Sequence, residues 1–468
     1  MKKNLFILFL TLLCACSESQ DLFLENQTDE LISETSVDNE TVEVTEAIAL
    51  RVAGNFLFKE KSRKIGCKEE RVFTINDSLN IPVMYVINYS GGGFVIISAR
   101  KTYYPVLAYS DKSNFSREYL ISGLEEWMQY IKKNILNSEK VKDTLQSHVH
   151  YLWTLYGGVD NGNTMSYSRS TIDESNAYAA RLTELRKSHP GYRFYPLSNC
   201  ASSFFSYGGE EILSDFKRRA SQYGSPENYT IVAIKDNTRT RTVGPLLTTV
   251  WHQDLPFNAQ CPNHSKAGCV AIAMAQIMKY HKYPDTYNWD NMPDATATID
   301  TQHLIYEVGK AVHMDYGAKE SGSNIKEAQK AFSNYFQYNA VIKDFDYSET
   351  ANELFVHKRP IYMRGADNKF LIWDWDGHAW VCDGANDIDY ETLYFIEYRH
   401  GGPGYYSYSS PDYPSCSDPA KSGYGKLYFH MNWGWKNGTH NGWYLLDNVN
   451  VGNYNFKYGR KNLYVSPR

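Results

Sequence analysis

The feature that most narrows the fold is the run Gly268-Cys269-Val270-Ala271-Ile272-Ala273-Met274-Ala275-Gln276-Ile277-Met278-Lys279-Tyr280. Small and apolar residues lie on every side of the helix axis until Lys279, so this helix has no face to give to water. It has to be enclosed as the central helix of a packed core. Cys269 opens it, where unpaired N–H groups and the positive end of the helix dipole favour a thiolate, the form of cysteine that attacks a carbonyl carbon. On this segment alone a buried structural cysteine is the alternative. Gly268, just before the thiol, would let a substrate backbone approach closely.

A thiol nucleophile needs a base that also holds the thiolate as an ion pair. Thirteen histidines compete for that role. His281 is on the same helix but twelve residues on, about 18 Å along the axis and out of reach. His252 and His264, in nearby loops, stay open. His378 stands out in Asp376-Gly377-His378-Ala379-Trp380-Val381-Cys382-Asp383-Gly384. Period-2 alternation predicts a strand with His378, Trp380 and Cys382 on one face and Ala379 and Val381 on the other. A third segment, Tyr428-Phe429-His430-Met431-Asn432-Trp433-Gly434-Trp435, offers an amide that would accept a hydrogen bond from an imidazole and an indole that would shield it. A Trp-rich hairpin of ordinary core is the alternative reading there. A fourth, Trp251-His252-Gln253, places an amide sixteen residues before Cys269, where Gln253 and the Cys269 N–H would form an oxyanion hole.

The amino terminus sets the compartment. Lys2 and Lys3 precede an apolar run from Leu5 to Leu13, followed by Leu13-Cys14-Ala15-Cys16. The run is shorter than the roughly 20 residues that span a bilayer as a helix, and it reads as a signal peptide. Its end resembles a bacterial lipobox, which would make Cys16 the lipidated first residue after cleavage. The expected protein is therefore an exported lipoprotein of the cell envelope, at the outer membrane or cell surface, held to the membrane by lipid at Cys16. Six further cysteines, 67, 200, 261, 269, 382 and 416, are too unevenly spaced for a disulfide framework. The net charge of −5, from 48 basic and 53 acidic residues, leaves no basic stripe for a nucleic acid partner.

At 468 residues there is room for two or three domains. Residues 17 to 44 are polar and acid-rich and read as a flexible tether. From Glu43 a small helix with one apolar face (Ala49, Ala53, Phe56, Leu57) precedes strand-like runs at Arg71–Ile75, Val83–Asn88, Phe94–Ser98 and Pro105–Tyr109. This α+β unit is followed by helical sequence from Arg117 to about Asn137. Thr238-Arg239-Thr240-Arg241-Thr242 reads as an exposed basic linker, the easiest place for a processing cut.

Several segments in order resemble the streptopain family of papain-like cysteine peptidases. They are Gly244 to Gln253, Pro256-Phe257-Asn258, Cys261-Pro262, Gly268-Cys269-Val270-Ala271, Met314-Asp315-Tyr316-Gly317 with Ser321-Gly322-Ser323, Arg359-Pro360-Ile361-Tyr362, Gly377-His378-Ala379 and Asn432-Trp433-Gly434-Trp435. The runs Gly92-Gly93-Phe94-Val95-Ile96-Ile97-Ser98-Ala99 and Pro105 to Asp111 resemble the streptopain propeptide domain, which covers the active site until removed. The resemblance implies an α+β architecture in which a papain-like cysteine peptidase domain, with its central nucleophile-bearing helix packed on an antiparallel sheet, follows a small α+β propeptide domain. It makes Cys269 the nucleophile, His378 the base, Asn432 and Trp433 the orienting pair and Gln253 the oxyanion donor, with protein or peptide substrates and the propeptide as the chain's own inhibitor. The organisation it suggests is a signal peptide at 1–15, a tether at 16–44, an inhibitory propeptide domain at 45–115, a further pro-segment at 116–240 and the catalytic domain at 241–468.

Three departures stand out. Arg100-Lys101 replaces a usual acidic pair, residues 386 to 424 form an enlarged loop between the His and Asn strands, and 116 to 240 exceeds the usual connection. Two other functions compete. Cys261-x-x-His264 with Cys269 has zinc-knuckle spacing but lacks a fourth ligand, so neither metal nor cofactor is called for. The 38 tyrosines and 10 tryptophans would also suit a surface lipoprotein whose inactive peptidase-like fold binds glycan or host protein.

Overall fold

The computed structural model describes residues 42–61, 69–117, 122–138, 193–196, 229–317, 319–365, 377–399, 405–409, 426–445 and 460–468, with a few short pieces between 149 and 188. The signal sequence, Cys16 and the tether lie outside the described residues, as do Cys67, Cys200 and Cys416. No helix among the described residues is long and apolar enough to cross a membrane.

Helix α1 (Glu46–Lys61) opens the described chain. Its Ala49, Val52, Ala53, Phe56 and Leu57 are buried, a stripe at i, i+3, i+4, i+7 and i+8. An antiparallel meander follows, of β1 (Glu69–Asn76), β2 (Pro82–Tyr89), β3 (Phe94–Ser98) and β4 (Val106–Ser110). These strands coincide with the runs expected from sequence. Nearly every residue of β2 to β4 is buried, because α1 packs on β2 and β3 while α2 (Ser122–Asn137) also packs on β2. Apolar runs without polar alternation are what a sheet covered on both faces requires.

The second half is built around α3 (Cys269–His281), with Val270 to Met278 all buried. Its alanines let the sheet come close, and it packs on strands β8 (Ile361–Gly365) and β9 (His378–Arg399) and on helix α4 (Ile299–Ala311). Thr298 caps α4 through a reciprocal capping box with Thr301. Helices α5 (Ile325–Lys330) and α6 (Tyr347–Phe355) are capped by Asn324 and Asp346 side chains. Four more strands of the second half are β7 (Tyr338–Asp344), β11 (Lys426–Asn432), β12 (Gly442–Leu445) and β13 (Lys461–Pro467).

All pairings are antiparallel, in the order β1-β2-β3-β4-β12-β11-β9-β8-β13-β7. The meander is thus continuous with the second half: Trp443 and Tyr444 of β12 pair with Tyr109 and Ala108 of β4. The sheet divides two cores. One takes Ala379, Val381 and Leu463 together with α3, and the other takes Trp380, Cys382, Phe429, Trp433 and Tyr444 together with the meander, α1 and α2. The predicted alternation in 379–382 is therefore present, and it sorts these residues between the two cores.

Two expectations need correction. Residues 238–242 are not a linker, because they lie within β6 (Tyr229–Val243), paired along its whole length with β9, although Thr240, Arg241 and Thr242 are exposed as expected. Residues 386–399 are not loop, because they continue β9, and β10 (Tyr405–Ser409) returns along them. β5 (Arg193–Pro196) pairs with β6. Threonine-rich sequence with alternating arginines suits a strand as well as a linker, and only the pairing partner separates the two.

Candidate active site

Gly268 enters α3 with φ +87° and ψ +135°, a conformation costly for any other residue. A Cβ there would stand 2.6 Å from the Met314 thioether and 3.2 Å from the Ser321 carbonyl oxygen. The glycine is thus demanded first by its own backbone conformation, with the Ser321 carbonyl leaving little room beside it. It delivers Cys269, itself partly exposed, to the first turn of α3.

The Cys269 thiol is hydrogen-bonded to His378 and receives the backbone N–H groups of Ala379 and Val270. Burial pushes its pKa up. The opposing charge of His378 and these hydrogen bonds outweigh burial and hold the thiol below its ordinary value. Of the candidate bases, His378 is the one brought to the thiol. His252 is buried, accepts the Asp254 N–H at Nδ1 and packs edge-on against Phe257, and burial lowers its pKa. His264 sits in a turn at φ +52°, its N–H on the Cys261 carbonyl.

His378 begins β9, 6% exposed, its ring stacked on Trp380. Its Nε2 lies 3.0 Å from the main-chain oxygen of Trp433. A carbonyl oxygen only accepts, so Nε2 carries a proton and Nδ1 is left for the thiol. This differs from the expectation that the Asn432 amide would orient the imidazole. Asn432 donates from Nδ2 to the Thr249 oxygen at 2.8 Å, and its Oδ1 accepts from Gly434 N at 3.2 Å and from Gln276 Nε2 at 3.4 Å. These bonds hold the turn that carries the Trp433 carbonyl. The Trp433 indole packs on Trp380 at 5.1 Å, on the face opposite α3.

Sequence reasoning misses Gln276, although it is the one polar residue inside the apolar run. It is fully buried and joins Thr249 Oγ1, 2.8 Å from its Oε1, to Asn432. Tyr362 enters the sequence pattern only as part of a motif. It is fully buried, its hydroxyl has no hydrogen-bond partner among the described residues, and burial together with the nearby Cys269 charge pushes its pKa up. Gln253 is held beside the helix entrance: its carbonyl oxygen accepts the Ala267 N–H at 3.0 Å, two residues before Cys269. Among the described residues, Cys261, His264 and Cys269 do not gather into a group that could hold a metal ion.

The first half of the chain abuts this site. A Cβ on Gly123, at the start of α2, would fall 2.7 Å from the Trp380 indole and 3.1 Å from that of Trp433. Trp127 Nε1 donates to the Leu445 oxygen at 3.0 Å, and Tyr428 Oη to the Val106 oxygen at 3.1 Å.

Comparison with known proteins gives these halves their names. The Spi protease inhibitor family matches residues 41–135, and the Peptidase C10 family matches residues 251–286 and 285–444. The chain belongs to the streptopain family of cysteine peptidases. Streptopain of Streptococcus pyogenes is 23% identical over 385 residues, covering 78% of this chain and 74% of that one. The thiol protease/hemagglutinin PrtT of Porphyromonas gingivalis is 24% identical over 264 residues, 45% of this chain and 25% of that protein. Among solved structures, a prointerpain A fragment from Prevotella intermedia overlays with a TM-score of 0.41 at 18% identity, covering 84% of this chain and 98% of that one. The unit of α1, β1–β4 and α2 is accordingly a propeptide domain. The match reaches α2, which belongs with the strands because Leu124, Trp127 and Ile131 share their core.

Proposed function

We propose that the chain is the zymogen of a cysteine endopeptidase in which Cys269 is the nucleophile and His378 the general acid and base. The contact between the Cys269 thiol and His378 carries this reading. In the ion pair, His378 holds protons on both ring nitrogens, one toward the thiolate and one on the Trp433 carbonyl, whose dipole favours the charged ring. The thiolate attacks the peptide carbonyl, and the Cys269 N–H and the Gln253 amide receive the oxyanion. Collapse transfers the His378 proton to the leaving amine. The imidazole then takes a proton from water, whose oxygen attacks the thioester and releases the acid and the thiol. Asn432 and Trp433 act as positioning residues, Asn432 by holding the turn and Trp433 through its carbonyl. No cofactor enters these steps.

The propeptide domain keeps the enzyme latent by packing α2 against Trp380 and Trp433. We further read Cys16 as the lipidated residue of an exported, envelope-bound precursor, supported by Leu13-Cys14-Ala15-Cys16. The test incubates the chain from Ser17 with a reductant, comparing wild type with Cys269→Ala by intact mass and casein cleavage. Wild-type-only cleavage supports the reading. Casein cleavage by Cys269→Ala equal to wild type overturns it. Labelled palmitate incorporated by the precursor and lost in Cys16→Ala tests the anchor.

A further inference from the structure

The two segments in which this chain exceeds the streptopain pattern, the long pro-segment and the insertion after the His strand, meet in one antiparallel ladder, β5-β6-β9-β10. We propose that β6, residues 229–243, is a permanent strand of the mature peptidase, so that the cut freeing the propeptide falls on the amino-terminal side of Tyr229. The proposal rests on the zymogen reading above and adds to it where the mature enzyme begins.

The topology of β9 carries the inference. Its residues 381–382 pair with β8 on one edge and β11 on the other, and its residues 385–388 pair with β6 on one edge and β11 on the other. Hence β8 and β6 occupy the same edge of the strand that begins at His378. β8 covers it from His378 to Cys382, and β6 takes over at Ala385 and runs without a register shift to Arg399. Losing β6 would bare fifteen residues of β9, an unpaired edge of about 50 Å that would invite association with other strands.

The carboxyl-terminal end of β6 is fastened by more than its ladder. Val243 is 6% exposed. Thr242 Oγ1 donates to Asn386 Oδ1 at 2.7 Å, and the Arg241 guanidinium lies 3.9 Å from the centre of the Phe355 ring and 3.3 Å from the Asp387 carboxylate. Immediately after, Gly244 turns at φ +85°, where a Cβ would come within 2.4 Å of the Asp383 carbonyl oxygen. Leu246 N then donates to the Asp383 carbonyl at 2.7 Å and Leu247 N to its carboxylate at 3.0 Å. The other carboxylate oxygen of this fully buried Asp383 meets His430 Nδ1 at 2.6 Å. A protease needs several consecutive residues extended and free on both sides. Residues 240–242 are exposed, but Arg239 and Arg241 stand opposite Asp389 and Asp387 in the ladder, so each cut there requires β6 to be lifted from β9 first.

The experiment has two arms. In the first, the chain from Ser17 carrying Cys269→Ala is digested with trypsin under native conditions and after unfolding in urea, with products followed by mass. The bonds after Arg239 and Arg241 are expected to be cut at least about a hundredfold more slowly in the folded chain. In the second, the wild-type chain is matured, and the amino terminus of its active product is sequenced. An active product beginning at or before Tyr229 supports the proposal. Rapid native cleavage after Arg239 or Arg241, or an active product beginning between Tyr229 and Trp251, overturns it. A wild-type chain that never cleaves casein would count against the peptidase reading alone, since the trypsin arm needs no activity.

Discussion

Replacing Gly268 with alanine tests how the fold delivers its thiol. The residue sits at φ +87°, ψ +135°, in territory that only glycine occupies without strain, and the cost of holding another residue there is about 1–3 kcal/mol. Two contacts add to it. The Cβ would stand 2.6 Å from the end of Met314, a flexible thioether that swings away at little cost, and 3.2 Å from the Ser321 oxygen, which belongs to the backbone and yields less. The backbone contribution should therefore dominate. Urea denaturation in the Cys269→Ala background should place Gly268→Ala about 1–3 kcal/mol below its parent, with an unchanged slope. In a double-mutant cycle with Met314→Ala, the coupling should stay under about 1 kcal/mol. With Cys269 restored, Gly268→Ala should lower kcat more than it raises KM, because the displaced group is the nucleophile. A loss smaller than about 0.5 kcal/mol, or a coupling that recovers most of it, would refute the assignment of the cost to the backbone.

Three further outcomes follow from the same contacts. The rate of Cys269 alkylation should persist to lower pH than for a free thiol; in His378→Ala, where burial acts without its opposing charge, the thiolate fraction and with it the rate at pH 7 should fall by about tenfold or more. Burial, with the neighbouring Arg359 charge, lowers the His281 pKa from 6.5 to about 4. The unfolded chain alone then gains this proton between those values, so stability should drop by about 1–3 kcal/mol as pH falls from 6.5 towards 4, a drop that His281→Gln should flatten in pH-dependent urea melts. Trp127→Phe keeps the ring packing but strands the Leu445 oxygen, so it should weaken the hold of the propeptide by about 1–2 kcal/mol and shorten the lag before casein cleavage begins.

Some of this is legible in the sequence because certain constraints are local. A helix apolar on every side and opening on cysteine has one place to go, and the enclosure of α3 follows from that alone. The alternation Ala379-Trp380-Val381-Cys382 likewise separates the residues of the two cores. Constraints between distant segments are not legible. Asn432 and the Trp433 carbonyl are adjacent in sequence, and an amide is a recognisable partner for an imidazole, whereas a backbone oxygen carries no signature in the residue string. β6 reads as a linker for the same reason. Its partner on β9 is about 150 residues away, and nothing in Thr238 to Thr242 announces that pairing. Gln276 is readable once its setting is noticed, as the polar side chain that interrupts a run with no polar face.

The shared sheet has a consequence for activation. The propeptide domain does not rest on the peptidase through a polar rim. Val106, Tyr109, Leu124 and Trp127 lie in the same buried cluster as Trp380, Phe429, Trp433 and Tyr444, with β4 hydrogen-bonded to β12. Interfaces that resemble a core cut in half belong to permanent rather than transient associations. Cutting one bond between α2 and β6 removes the tether and leaves every one of these contacts in place. A singly cut chain should therefore elute from gel filtration as a complex at the size of the intact precursor and remain inactive on casein, and activity should appear only as the propeptide fragment is degraded. Immediate separation and full activity upon one cut would show that the shared core contributes less to latency than its burial implies.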